Sequence, residues 1–206
     1  MTSQQYHHGD LPQTLMSLAL KHIEESGTES LSLRALARDA GVSATAPYRH
    51  FPSKHSLLAA VATEGFRALR AQLEAAVSAS DDPWAQFLAV GTTYIRQAQS
   101  NPTTYQLMFG SVLGDFSQYD DLQVEAAATF SVVEGVAQRL INSRELSMTA
   151  NQLAGAAWAA VHGIASLSID GRRRDSRLDV PPMRAIRFIG QNPTKTLEIM
   201  FEGLLQ

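Results

Sequence analysis

Apolar side chains recur at three- and four-residue steps along most of the chain, which is the spacing that lines one face of an α-helix. The first such run lies between Leu11 and Glu25, and a longer one extends from Ser53 to Val77. No segment shows the two-residue alternation of a half-buried strand. The pattern therefore predicts an all-α protein. The remaining helices are predicted at residues 83–99, 102–109, 119–143, 149–170 and 193–205, with an arginine-rich loop from Gly171 to Pro182.

Capping residues mark the ends of the first two helices. Asp10 and Gln13 have the spacing of a capping box, and Gly27 suits the positive φ that often follows a helix. Ser32 is placed to cap a short second helix, which Gly41 ends. The sequence thus predicts a helix, a tight turn and another helix.

The helix after this turn is predicted over Ala44 to Phe51, and it contains Pro47. If Ser43 caps the helix, the missing N–H of Pro47 removes the first intrahelical bond. If the helix begins one residue later, Pro47 is one of the first four residues of the helix, whose N–H groups have no intrahelical partner, so its missing N–H costs no bond. The later start is favoured.

Composition indicates a packed protein that functions in a reducing compartment. Of the 206 residues, 45% are hydrophobic, 18% are charged and none is cysteine, so disulfides and thiolate metal sites are excluded. Met1 to His8 is polar and lacks the apolar stretch of a secretory signal. The longest apolar run, Ala154 to Ile169, is short for a membrane span and contains His162, so we interpret it as a buried helix in a cytoplasmic protein.

Positive charge is concentrated around the predicted turn although the formal net charge is -3. Between residues 34 and 54 there are four cations, Arg34, Arg38, Arg49 and Lys54, and one anion, Asp39. In a helix-turn-helix the second helix enters the major groove, and neighbouring side chains hold phosphates. The cluster therefore favours binding to double-stranded DNA. The alternative is a solvated face of an ordinary helical hairpin.

The chemistry of each side chain suggests its role on DNA. Ala44 and Thr45 offer a methyl group and a hydroxyl to base edges. Hydroxyl, imidazole and cationic side chains suit phosphate oxygens, and Arg49 can also reach a guanine edge. The candidates for these contacts are Ser32, Arg34, Ser43, Tyr48, Arg49, His50 and Lys54.

Three stretches resemble the DNA-binding domain of the TetR family of bacterial repressors: Leu31–Arg34, Ala37–Ser43, and Tyr48–Lys54 followed by Leu57 and Leu58. Pro47 stands where many members carry leucine or isoleucine. The opening Tyr6–Leu11, together with Trp158 and the pair His162 and Gly163, resembles a subfamily with a Trp-His-Gly signature.

The resemblance implies two domains joined through the long helix: a DNA-binding domain over residues 1–53, and a helical domain over 54–206 that dimerises and binds an effector. Small residues on an apolar helix would let a second subunit approach closely. The interface candidates are Leu153, Ala157, Val161, Ile164, Leu167, Ile199, Met200, Leu204 and Leu205. The alternative for each is the core of its own subunit.

Aromatic and methionine side chains in the second domain are candidates for contacts with a partly apolar small-molecule effector. They are Phe66, Phe87, Tyr94, Tyr105, Met108, Phe109, Phe130, Trp158 and His162. The alternative is that these side chains form an ordinary hydrophobic core. His162 has no sequence partners for a metal site, and no cofactor is predicted.

No phosphate-binding glycine loop, zinc-ligand pair or nucleophile elbow is present, so catalysis is not expected. The sequence predicts a ligand-responsive regulator that binds a roughly palindromic operator as a homodimer. Repression, and release by an effector that shifts the helix from Ser53 to Val77, are what the resemblance implies. The rival is a helical ligand-binding or protein-interaction module without functional DNA binding.

Overall fold

A computed structural model describes residues 10–173 and 179–204, and within these ranges the chain is helical with no strand. The predicted all-α class is confirmed. The α-helices are α1 Leu11–Ser26, α2 Leu33–Asp39, α3 Lys54–Ser78, α4 Pro83–Ser100, α5 Pro102–Phe109, α6 Asp120–Arg144, α7 Ala150–Arg173, α8 Pro181–Gln191 and α9 Pro193–Leu204. Short 3₁₀ turns lie at Pro47–Arg49, Ser111–Leu113 and Phe116–Gln118.

The chain divides into two compact units. The first holds the residues up to Gly65 together with Thr103–Gln123, and the second holds Phe66–Pro102 and the residues from Val124 onward. Helices α3 and α6 therefore each contribute residues to both units. This division falls inside α3 and not at residues 53 and 54, where the sequence places the boundary between functional domains.

The predicted caps of the first helices are confirmed. The Asp10 carboxylate accepts a hydrogen bond from the Gln13 backbone N–H at 3.2 Å, and the Ser32 hydroxyl accepts one from the Ala35 N–H at 3.2 Å. Gly27 ends α1 with a φ of 77°. These local bonds explain why the helix limits could be found from sequence: each involves residues three or four positions apart.

Helix α8 corrects the predicted loop between Gly171 and Pro182, because the helix begins at Pro181 and no helix was predicted there. Proline is tolerated in the first turn of a helix, where its missing N–H would have no partner anyway. Gly171 lets α8 approach α7, because a Cβ added to it would lie 2.4 Å from Ile186 Cγ2. The Gly190 carbonyl also accepts a hydrogen bond from the Gln99 side chain at 2.9 Å.

Within the second unit, α4 packs against both α7 and α9. A Cβ added to Gly91 would lie 2.8 Å from Leu197 Cδ1 and 3.3 Å from Val161 Cγ1, so three helices meet closely at this glycine. The side chains of Thr92 and Thr194 share a hydrogen bond of 3.0 Å between α4 and α9.

Helix α7 is longer than the apolar run seen in the sequence. Within the described residues, Ala150–Gly171 is the one segment long and apolar enough to cross a membrane, and 44% of that window is buried inside the protein. This segment extends beyond the run from Ala154 to Ile169 at both ends, and the core helix of a globular protein can have the same length and composition. Its packing against α4 and α8 is that of a core helix.

Replacement of Gly171 by alanine is expected to lower the free energy of unfolding by about 1–3 kcal/mol, because the new methyl group would overlap Ile186. The matched control is Gly135→Ala in α6, where the nearest atom to the added Cβ is 3.7 Å away. That change should stabilise the helix by about 0.5–1 kcal/mol. Urea unfolding of both variants, followed by circular dichroism, measures the difference. Equal stability of the two variants would contradict the close contact.

Candidate nucleic-acid interface and effector site

In the first unit, α2 ends in a tight glycine turn that leads to the segment predicted to read DNA. Gly41 has a φ of 69°, a value that L residues with a side chain rarely adopt. The N–H of Val42 donates to the Ala37 carbonyl at 2.9 Å, and that of Gly41 donates to the Arg38 carbonyl at 3.1 Å. These bonds satisfy carbonyls at the end of α2 and fix the direction of the chain after it.

The segment after the turn is not the α-helix predicted from Ala44 to Phe51. It forms a 3₁₀ turn at Pro47–Arg49, preceded by a bond from the Ala46 N–H to the Ser43 carbonyl at 3.0 Å. In an α-helix that carbonyl would accept from residue 47, and proline has no N–H. Pro47 therefore removes the first intrahelical bond of a helix capped by Ser43, and the structure has no α-helix at the favoured later start either.

The residues predicted to contact DNA nevertheless lie on the surface of this segment and of α2. Pro47 and Phe51 are buried and anchor the turn, and Tyr48 between them is 45% exposed. The hydroxyls of Ser43 and Thr45 lie 3.3 Å apart. The exposed candidates are Ser32, Arg34, Ser43, Ala44, Thr45, Tyr48, Arg49 and His50.

Lys54 differs from the other candidates because it is half-buried. Its ammonium group donates a hydrogen bond to the Thr28 carbonyl at 3.2 Å, which ties the start of α3 to the loop after α1. A lysine has three donors, so a phosphate contact is still available to it. Replacement of Lys54 would disturb this tie as well as remove charge, which makes the exposed Arg34 and Arg49 cleaner test positions.

Asp39, the single anion of the cationic stretch, is held by two basic side chains. His22 Nε2 lies 2.7 Å from one carboxylate oxygen of Asp39, and Arg38 Nε lies 3.5 Å from the other. The hydrogen bond to His22, assisted by Arg38, lowers the pKa of Asp39 below its ordinary value. The pairing with His22 was not predicted, because the two residues are far apart in sequence and no local pattern links α1 to the end of α2.

In the second unit, four of the nine predicted effector residues form one connected cluster, which we call the Trp158 cluster: Tyr94, Phe130, Trp158 and His162. Tyr94 Oη and His162 Nδ1 share a hydrogen bond of 3.1 Å. The Trp158 ring meets the ring of His162 edge to face at 5.9 Å, and that of Phe130 at 6.3 Å. Helices α4, α6 and α7 each supply part of the cluster.

The other predicted effector residues make contacts within their own units. Phe87 packs against Phe201 at 4.9 Å, in the core between α4 and α9. Phe66 is buried in α3, and its carbonyl accepts a hydrogen bond from the Thr129 hydroxyl at 3.2 Å. Tyr105, Met108 and Phe109 belong to α5 in the first unit. There the rings of Tyr105 and Phe109 lie 5.1 Å apart, and Met108 packs beside Gly65 of α3.

Burial lowers the pKa of His162 from its ordinary 6.5. The unfolded chain therefore takes up a proton near pH 6.5, whereas the folded imidazole stays neutral to lower pH. The contribution of His162 to the free energy of unfolding is complete above pH 6.5 and is lost as the pH falls from there through the folded pKa. An NMR titration, with the ring signal assigned by its absence in His162→Asn, should give a midpoint below 6.5. A midpoint at or above 6.5 would show that the ring is well solvated.

A cluster of charged side chains in the same unit joins α3 to α6; it consists of Glu125, Arg67, Arg70 and Glu74, and we call it the Glu125 cluster. The Glu125 carboxylate accepts from Arg67 Nε at 3.1 Å and from Arg70 at 3.1 Å, and Arg70 also pairs with Glu74. Burial raises the pKa of Glu125, but hydrogen bonds from Arg70 and Arg67 outweigh it and hold that pKa below its ordinary value. In the described part of the chain, no group of three His, Asp or Glu side chains is placed to hold a metal ion.

The predicted interface residues fall into two groups. Leu153, Ala157, Val161 and Ile164 are buried within their own chain, so these four are corrected to core positions: little of their surface is left to cover. Leu167, Ile199 and Met200 are exposed. Leu204 is the last residue of α9, and Leu205 lies outside the described residues.

Comparisons with known proteins agree with this organisation. The family model "Bacterial regulatory proteins, tetR family" matches residues 15–61, and "Tetracyclin repressor-like, C-terminal domain" matches residues 87–184. The tetracycline repressor protein class A from transposon 1721 of Escherichia coli is 36% identical over 88 residues, which are 42% of this chain and 39% of that protein. The match thus spans about two fifths of the length of that relative.

Solved structures share the whole fold. A protein of unknown function from Rhodococcus sp. RHA1 has a TM-score of 0.74 and 30% identity, covering 94% of this chain and 98% of that one. The transcriptional regulator FadR from Bacillus subtilis, solved in complex with stearoyl-CoA, has a TM-score of 0.67 and 11% identity, covering 87% and 96%. The two family models together cover the turn that presents Arg49 and most of the helices of the second unit. This chain belongs to the tetR family of bacterial regulatory proteins.

Proposed function

We propose that this protein is a cytoplasmic transcriptional repressor that binds a roughly palindromic DNA operator as a homodimer and is released by a small-molecule effector. The observation that carries the proposal is the cationic surface around the α2–α3 turn. It carries the exposed Arg34, Arg38 and Arg49, and its single carboxylate, that of Asp39, pairs with Arg38 and shares a hydrogen bond with His22. A polyanion therefore meets net positive charge there although the whole chain is acidic.

On this surface Ala44 and Thr45 are the base-reading candidates, because they precede the 3₁₀ turn and are exposed. Ser32, Ser43, Tyr48, Arg49 and His50 are assigned to phosphates, together with Arg34 on α2. Because the 3₁₀ turn is only three residues long, fewer residues can line the groove than on a full recognition helix. Sequence preference should therefore be confined to few base pairs in each half-site.

The homodimer is proposed to form through the exposed sides of α7 and α9. Gly155, Ala159 and Gly163 recur every four residues on α7, and a Cβ added to either glycine meets no atom within 4 Å. No Lys, Arg, Asp or Glu occurs between Ala150 and Ile169, so this exposed side carries no charge. Ile199 on α9 is 59% exposed. Two helices with such faces can pack closely against a second copy.

Regulation is proposed to act through α3, which carries Lys54 at its first residue and the arginines of the Glu125 cluster further along. A helix of this length transmits a displacement from one end to the other. A coupling free energy of about 1–3 kcal/mol would change operator affinity by about 5- to 150-fold and would act equally on effector affinity. The functional boundary at residues 53 and 54, and the narrower resemblance to the Trp-His-Gly subfamily, remain predictions.

The decisive experiment is selection of bound duplexes from a random pool by the full chain, with Arg34→Ala/Arg49→Ala as the control. We expect two inverted half-sites with centres about 34–36 Å apart, the spacing of successive major grooves. Recovery of a single half-site would overturn the dimeric mode of binding. If no duplex is enriched even in dilute buffer, the proposal of DNA binding is overturned. That result would favour the alternative function, a helical ligand-binding or protein-interaction module.

A further inference from the structure

A hydrogen bond between two helices holds the single carboxylate of the cationic stretch in place. His22 on α1 and Asp39, the last residue of α2, share a bond of 2.7 Å between Nε2 and a carboxylate oxygen. The Gly41 N–H donates to the Arg38 carbonyl at 3.1 Å, and this backbone bond spans Asp39. The carboxylate is therefore held at the start of the turn that leads to the segment proposed to read DNA.

The chemistry of this bond allows His22 to change its charge while the contact is kept. An ionised carboxylate only accepts hydrogen bonds, so Nε2 of His22 carries the hydrogen, and protonation of the imidazole adds a second hydrogen at Nδ1. The bond from His22, assisted by Arg38, lowers the pKa of Asp39 below its ordinary value, so the carboxylate stays ionised at mildly acidic pH. Acidification therefore adds a positive charge here without breaking the bond between α1 and α2.

Other ionisable side chains lie on the elements around this pair. Helix α1, which carries His22, packs against α2 and against the 3₁₀ turn. Lys21 pairs with Glu25 on α1 at 4.0 Å, and Lys54 at the start of α3 is directed to the loop after α1. The remaining groups, all exposed, are Glu24, Arg34, Arg38, Tyr48, Arg49 and His50. On α2 and the turn the arginines outnumber the one carboxylate, that of Asp39, and this carboxylate is the group that His22 contacts.

We propose that His22 is a positioning residue for DNA binding: it holds the Asp39 carboxylate against α1 and, when protonated, adds a positive charge that strengthens binding to duplex DNA at mildly acidic pH. This rests on the proposed function, because it names a regulation of the same surface. A polyanion binds the protonated form more tightly, since its phosphates gain from the added positive charge. The coupling between proton and DNA is reciprocal, so affinity rises as the pH falls through the range in which the imidazole takes up its proton.

The test compares the full chain with His22→Gln by fluorescence anisotropy on the selected duplex, from pH 8 to pH 5.5 at constant low ionic strength. Glutamine keeps an N–H donor for Asp39 and has no charge at any pH. We expect the two proteins to bind equally at pH 8 and the parent to bind at least about 3-fold more tightly at pH 5.5. The other imidazoles, including those of His50 and His55, are present in both proteins, so their contribution cancels in the ratio of the two affinities.

The shape of this ratio against pH separates a charge effect from a purely structural one. A ratio that stays near 1 over the whole range would refute the charge contributed by His22. A ratio that differs from 1 by the same factor at every pH would show that His22 only supports the fold, and it would refute the proposal as well.

A second variant, Asp39→Asn, tests the same surface and replaces the first if His22→Gln does not fold by circular dichroism. Asparagine keeps an oxygen that accepts from His22 but carries no negative charge. The variant should bind the duplex at least about 3-fold more tightly than the parent at pH 8, because loss of an anion changes the local charge as gain of a cation does. The matched control is Asp81→Asn, an exposed carboxylate between α3 and α4, which should leave affinity unaltered. Unchanged or weaker binding by a folded Asp39→Asn would contradict the proposal.

These outcomes keep the inference distinct from the proposed function. If the parent binds the selected duplex but the ratio does not change with pH, DNA binding stands and the role of His22 fails. If neither protein binds any duplex at either pH, the proposed function fails, and the role of His22 fails with it.

Discussion

Replacement of Ala159 by arginine is expected to convert the proposed homodimer into monomers and to weaken binding to a two-half-site operator by at least about 100-fold. Ala159 lies on the exposed side of α7 between two glycines whose added Cβ atoms would meet nothing. In a symmetric dimer the new side chain occurs twice, and two like charges brought together at an interface cost several kcal/mol. Sedimentation equilibrium and duplex titration measure the two effects.

The control for this change is Ala127→Arg, which adds the same charge at an exposed position of α6. It should leave both the oligomeric state and duplex affinity intact. Because Ala159 is exposed in the single chain, both variants should keep the helical circular-dichroism spectrum of the parent protein. The monomeric Ala159→Arg should nevertheless unfold at a lower urea concentration, because it lacks the stabilisation that a partner subunit gives. A dimeric Ala159→Arg protein would remove the exposed face of α7 from the interface.

The double variant Arg34→Ala/Arg49→Ala is expected to lose at least about 100-fold in affinity for every duplex tested. Both side chains are exposed beside the α2–α3 turn. Log K falls with log salt by about 0.9 for each phosphate that the protein neutralises. A dimer of the double variant loses four phosphate contacts, so the magnitude of its slope should be smaller by about 3.6. Fluorescence anisotropy over a range of salt concentrations measures this slope.

Arg96→Ala is the matched control, because Arg96 is an exposed arginine on α4 in the second unit. Its loss should leave the salt slope unchanged. If the double variant keeps the slope of the parent protein, phosphate contact by Arg34 and Arg49 is refuted, even if its affinity falls for another reason.

The helices could be predicted wherever their limits depend on local bonds. Asp10 and Ser32 accept from N–H groups three residues ahead, and the Ser53 hydroxyl accepts from the Ser56 N–H at the start of α3. Prolines were harder to interpret. The sequence pattern predicts an α-helix around Pro47, where the structure has a 3₁₀ turn. It predicts a loop at Pro181, where the structure begins α8.

The residue types of the candidate sites could be predicted from the sequence, but the contacts between those residues could not. The concentration of positive charge around the turn could be predicted because it depends only on which residues are close in sequence. The bond between Tyr94 and His162, and that between His22 and Asp39, join residues of different helices whose approach depends on packing. For the same reason Val161, assigned to a subunit interface from its apolar character, is a core residue beside Gly91.

The Glu125 cluster restricts how the second half of α3 can move. Its carboxylate binds arginines on two successive turns of α3, so rotation of α3 about its own axis would break both ion pairs. A displacement that carries α6 along would break neither. The residues of α3 and α6 around this carboxylate should therefore exchange their amide hydrogens as one cooperative segment, and Glu125→Gln should allow α3 to exchange faster than α6.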